Sequence, residues 1–80
     1  MSELIEKEVL LDIPNLNWPS WETLVAAALD GIAGVLSYDI KSLRREARIT
    51  FDANQIDENQ LMDKLKKKTR YRSMSIKNVW

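Results

Sequence analysis

Apolar residues alternate at the start of the chain. In residues 5–13, Lys7, Val9, Leu11 and Ile13 share one face, with Glu8, Leu10 and Asp12 between them. That period predicts a half-buried strand, which Pro14 ends. From about residue 18 to 33 the period lengthens. Trp21, Leu24, Val25, Ala28, Leu29 and Ile32 fall at i, i+3, i+4, i+7, i+8 and i+11, the stripe of an amphipathic helix. Asn17 is the expected N-cap, with Pro19 tolerated in the first turn. Leu16 and Trp21 then occupy the N′ and N4 positions of a hydrophobic staple. Gly34 suits the left-handed residue that closes a helix.

Alternation returns in Leu36, Tyr38 and Ile40, and a turn through residues 42–45 leads to Ala47, Ile49 and Phe51 on one face of a further strand. Asp57 caps a second helix with Gln60 at N3, and Ile56 can staple to Leu61. Leu61, Met62 and Leu65 are its apolar face. A last strand sets Met74 and Ile76 against Ser73, Ser75 and Lys77. The order βαββαβ predicts an α+β, ferredoxin-like sandwich, with two helices on one face of a four-stranded antiparallel sheet. Its expected core is Val9, Leu11, Ile13, Leu24, Ala28, Leu29, Ile32, Ile40, Ile49, Phe51, Leu61, Leu65 and Ile76. The open face should present Glu8, Leu10, Asp12, Arg48, Thr50, Ser73 and Ser75.

Composition narrows what such a sandwich can do. Eighty residues make one domain, residues 1–80 with a core over roughly 5–77. There is no cysteine and no histidine, so disulfides, thiolate or imidazole metal sites and the common nucleophilic triads are excluded. Gly31 and Gly34 are the only glycines, which leaves no phosphate-cradling loop. A chain this short implies no cleft to hold paired carboxylates. A non-catalytic protein without a cofactor is expected. The start Met-Ser-Glu-Leu-Ile-Glu lacks the pattern of a signal peptide, and the longest uncharged run, residues 13–21, is too short to span a bilayer. Cytoplasmic location is the expectation. Net charge is zero, yet residues 1–40 carry −6 and residues 41–80 carry +6. That asymmetry concerns partners rather than fold.

The first loop and helix read Ile13-Pro14-Asn15-Leu16-Asn17-Trp18-Pro19-Ser20-Trp21, then Leu24-Val25, Ala28-Leu29 and Gly34-Val35. The hairpin reads Arg45-Glu46-Ala47-Arg48-Ile49-Thr50-Phe51-Asp52. Over roughly residues 7–77 this resembles the heavy-metal-associated domain of copper chaperones, mercury-binding proteins and metal-pumping ATPases. The family carries Gly-Met-Thr-Cys-x-x-Cys in the first loop. Under the resemblance, Asn15 stands for its glycine, Leu16 for its methionine, and Trp18 and Trp21 for its two metal-binding cysteines. Arg70 stands for the glycine before Tyr71, which matches the family tyrosine beside the metal loop. Soft ions need thiolate, and an indole N–H only donates. The resemblance thus implies the fold and a degenerate metal site.

Two surfaces are candidates for interaction. Trp18 and Trp21 either fold back on Leu16 and Tyr71 to fill the space of a vanished metal, or anchor a protein interface from the loop tip. Trp18 should be the more exposed and Trp21 the more buried. Lys64, Lys66, Lys67 and Lys68, with Arg70 and Arg72, form either a solvated helix face or a dock for an acidic partner. RNA recognition would need aromatics on the open sheet face, so no nucleic-acid partner is expected, nor a membrane. Weak head-to-tail self-association between the acidic and basic halves is a further expectation. The only sulfurs, Met1, Met62 and Met74, lie in different elements, and Glu3, Glu6 and Glu8 are sequence neighbours near one end. Two readings stay open: a protein-interaction module through the tryptophan loop or the basic helix, and a heavy-metal transport or chaperone protein using atypical or partner-supplied ligands.

Overall fold

The computed structural model describes residues 4–17 and 19–80. Its strands are β1 (Glu6–Asp12), β2 (Val35–Lys41), β3 (Glu46–Asp52) and β4 (Ser75–Val79), and its helices α1 (Pro19–Asp30) and α2 (Glu58–Thr69). Short 3-10 turns cover Pro14–Asn17 and Ser42–Arg44. The strands form one antiparallel sheet in the order β2-β3-β1-β4. The expected βαββαβ sandwich is therefore present.

The inner strands carry the core. Register pairs Val9 with Ile49 and Leu11 with Ala47, so the apolar sets of β1 and β3 face the same way. Val9, Leu11, Ile13, Ala47, Ile49 and Phe51 are fully buried, together with Val25 of α1 and Leu61 and Leu65 of α2. Ile56 and Met74 complete the cluster.

The edges depart from expectation. Ile40 on β2 and Ile76 on β4 are only partly buried, because each lies on an edge strand. Leu36 is 43% exposed: the β2–β3 register shifts between Val35 and Ser37, and this bulge turns Leu36 out. Leu24, 39% exposed, lies at the flank of the α1 stripe rather than in the core. Lys7, on the core phase of β1, is exposed at the strand end. Ser73 precedes β4 rather than lying on the sheet. A second bulge, between Leu10 and Leu11, re-phases β4. Lys77 there reaches Glu46 on β3 at 2.5 Å, and its ammonium holds the Glu46 carboxyl below the usual range. Trp80 pairs with Glu8 through both backbone bonds, and the Arg48 guanidinium lies 5.0 Å from its ring centroid. The open face thus carries one aromatic that alternation did not reveal.

Helix ends follow local chemistry. Asp57 accepts from the Gln60 amide at 2.7 Å, while the Gln60 side chain accepts from the Asp57 amide at 3.1 Å, a complete capping box. The helix α1 starts at Pro19 and Asn17 ends the preceding 3-10 turn; the expected Asn17 cap lies outside the described side chains. The helix stops at Asp30, earlier than the stripe implies. The amides of Gly31 and Ile32 there donate to Ala28 and Leu29, the tighter spacing of a closing turn. Gly34 has φ 99°, and a Cβ there would sit 2.8 Å from the Ile56 side chain, so both conformation and space require glycine.

Between β3 and α2, Asp52 is buried and accepts from the Asn54 amide and the Gln55 side chain, each at 3.0 Å. The Asn54 amide, then Gln55, holds its carboxyl below the usual aspartate range. A pKa lower in the folded than in the unfolded chain stabilises the fold above about pH 3.9. That contribution is lost as pH falls through the depressed folded value. Asp52→Asn should accordingly flatten the acid limb of stability against pH; an unaltered acid limb in urea titrations would contradict this role. Phe51→Ala should lower unfolding free energy by about 3–5 kcal/mol, as aromatic truncation in a packed core does. An unchanged denaturation midpoint would show that Phe51 does not sit in this core.

Candidate functional site

The first loop is anchored from one side. Ile13 donates its amide to Arg45 at 2.8 Å, and Leu16 donates to Ile13 at 3.0 Å, which drives the Leu16 side chain wholly into the core. Trp18, and with it the expectation that its indole is exposed, lies outside the described residues. Trp21, in the first turn of α1, is partly buried. Its ring lies 5.0 Å from that of Tyr71, tilted by 52°. This is the arrangement favoured by ring quadrupoles, and it brings together two of the residues singled out in the sequence.

Tyr71 reaches that position because of how α2 ends. The Thr69 hydroxyl donates to the Leu65 carbonyl at 2.7 Å and accepts from the Tyr71 amide at 3.3 Å. Between them Arg70 takes the left-handed conformation, φ 60° and ψ 15°. A side chain there costs about 1 kcal/mol relative to glycine. The bend turns Arg70 and Arg72 to either side of Tyr71.

Beside this turn lies a surface groove of about 590 Å³ lined by Asp63, Lys66, Lys67, Arg70 and Arg72. Asp63, Lys66 and Lys67 fall at i, i+3 and i+4 on one face of α2, and Arg70 joins them from the left-handed residue that ends the helix. Among the described residues none of its four cations makes an ion pair. The structure therefore selects within the basic run. Lys67 and Arg70 line the groove, joined by Lys66 and Arg72, whereas Lys64 and Lys68 lie to one side. Lys68 turns toward the end of α1, where a Cβ on Gly31 would stand 3.1 Å from its ammonium. Tyr71 stands in the chain between Arg70 and Arg72, so the aromatic pair and the groove draw on the same segment.

Among the described residues no three of His, Cys, Asp or Glu gather as metal ligands, and no helix is long and apolar enough to cross a membrane.

No protein-family model and no curated protein matches the chain. Solved structures do. A copper-binding domain from HMA7, a P-type ATPase, superposes with a TM-score of 0.81 at 19% identity, covering 92% of this chain and 99% of that one. Oxidized MerP from Ralstonia metallidurans CH34 gives 0.74 at 25% identity, covering 92% and 100%. A chain of the Atx1–Cu(I)–Ccc2a complex gives 0.75 at 18% identity, covering 90% and 96%.

Arg70→Gly should leave the fold unharmed or stabilise it by up to about 1 kcal/mol, because glycine relieves the left-handed strain. Thermal melts check this. A loss of stability would mean that the Arg70 side chain makes compensating contacts.

Proposed function

We propose that this heavy-metal-associated domain is a non-catalytic protein-interaction module which keeps the family's fold without its thiolate metal site. The observation that carries this reading is the Trp21–Tyr71 ring pair, with Tyr71 placed in the chain between Arg70 and Arg72 of a groove whose four cations make no ion pair among the described residues. Amphipathic aromatics beside arginine are the side chains most often found as interface anchors. The fitting partner surface is acidic. Recognition would be electrostatic at the groove and apolar at the aromatic pair, with Trp18, next to Pro19 in the sequence, as a further anchor. The Atx1–Cu(I)–Ccc2a complex supports the reading, since there domains of this fold meet another protein. The absence of cysteine and histidine removes the ligands that soft ions prefer.

Metal binding separates this from metal carriage. In competition against a Cu(I) chelator, and in parallel with Hg(II), the protein should take up less than a stoichiometric amount at micromolar free ion. One equivalent bound at submicromolar affinity would instead support atypical or partner-supplied ligands. Trp18→Cys with Trp21→Cys should gain thiolate-dependent soft-ion binding. A folded, reduced double variant that gains none would refute the correspondence of these positions to the family's cysteines. For docking, Trp18→Ala and Lys67→Glu should each weaken capture of the same partner, Trp18→Ala by about 2 kcal/mol or more. Undiminished capture by both would overturn the interface.

A further inference from the structure

A second groove, not evident in the sequence, lies on the far flank of the molecule. It runs between α1 and β2, has a volume of about 740 Å³, and is lined by Glu22, Asp30 and Asp39 with Ala26, Ala27 and Ile40 among its apolar residues. The Tyr38 hydroxyl donates to the Asp30 carboxylate at 2.9 Å and fixes that charge at the rim. Asp39 also pairs with the exposed Lys41 at 3.1 Å. Small alanines leave room between the rims for long aliphatic stems, which lysine and arginine can lay on apolar surface while their charged heads reach the acids.

The stripe of α2 offers those side chains. Lys66 and Lys67 on α2 and Arg70 at its C-cap line one groove with no ion pair of their own among the described residues. The two features cannot meet within one molecule. The groove includes residues of β2, and the basic surface includes Arg72, just ahead of β4; these strands are the opposite edges of the sheet. We infer that the partner of the acidic α1–β2 groove is a second copy of this chain, which inserts its α2 basic stripe. The inference rests on the reading of that stripe as a docking surface.

The contact is heterologous: groove and stripe are different surfaces, so a chain of copies always keeps one free groove at one end and one free stripe at the other. Such contacts propagate head to tail rather than closing as a two-fold dimer. Both partners are solvent-exposed charges, so association is weak and strongly screened by salt.

Sedimentation velocity of the wild-type protein tests this over a concentration series up to about 1 mM. Average mass should rise with concentration at about 20 mM salt, and the association constant should fall about tenfold or more by about 300 mM. Lys66→Glu with Lys67→Glu should be monomeric, as should Glu22→Lys with Asp30→Lys. An equimolar mixture of the two variants should form heterodimers, because each retains the half that the other lacks. Melting curves establish that both variants fold. Self-association that persists in either folded variant, or a mixture that stays monomeric, would overturn the proposal. An acidic peptide of glutamates provides the second arm. If the wild type stays monomeric yet binds that peptide in a Lys66- and Lys67-dependent manner, self-assembly is wrong and the docking reading stands. If it does neither, both fall.

Discussion

At Arg70 the chain leaves α2 through a left-handed residue, and the arrangement of the candidate surface follows from that bend. A helix continued past Thr69 would carry Tyr71 and Arg72 onward around its axis. The left-handed step instead reverses the chain, and Thr69 secures it by bonding Leu65 on one side and Tyr71 on the other. Tyr71 is thereby returned to α1, where Trp21 receives it. Arg72 is folded back toward the last turn of the helix it has just left. One backbone conformation therefore joins a basic stripe to an aromatic pair from a different element.

The same bend costs free energy with any residue other than glycine. In a small domain whose total stability is about 5–15 kcal/mol, about 1 kcal/mol is not negligible. Arg45 occupies the same conformation in the hairpin turn, yet it sits away from the groove. Left-handed arginine is therefore not in itself a mark of function here. At Arg70 the strain coincides with a groove that its guanidinium helps to line, and that coincidence gives the residue weight.

How much of this was legible in the sequence depended on position in the sheet. On β1 and β3 the period-2 pattern reports burial faithfully, because both inner strands have a neighbour on each side and a helical layer above. On β2 and β4 it does not. Bulges at Leu36 and beside Leu10 shift the phase, and no residue type in those segments announces a bulge. Trp80 gives no local signal for this reason, since its face is set by pairing with Glu8 of β1, beyond the bulge beside Leu10. The capping box at Asp57 and Gln60 was legible because it is a local bond between residues three apart. At the candidate site, the basic run was visible but its sorting was not. Helical phase separates Lys66 and Lys67 from Lys64 and Lys68, whereas the inclusion of Arg70 and Arg72 depends on the backbone turn. The acidic groove gave no local signal, because α1 and β2 assemble it across a loop.

This fold holds together without thiolates. The core lies between the inner strands and the helices, from Val9 and Leu11 to Phe51 and Leu65, and is complete without any ligand. The first loop touches it chiefly through Leu16, an apolar side chain whose burial needs no metal. The hydrogen bonds that hold the loop run between the backbones of Ile13, Leu16 and Arg45. Residues at the loop tip are consequently freer to change than those beneath it. Core and loop backbone are in this respect physically independent.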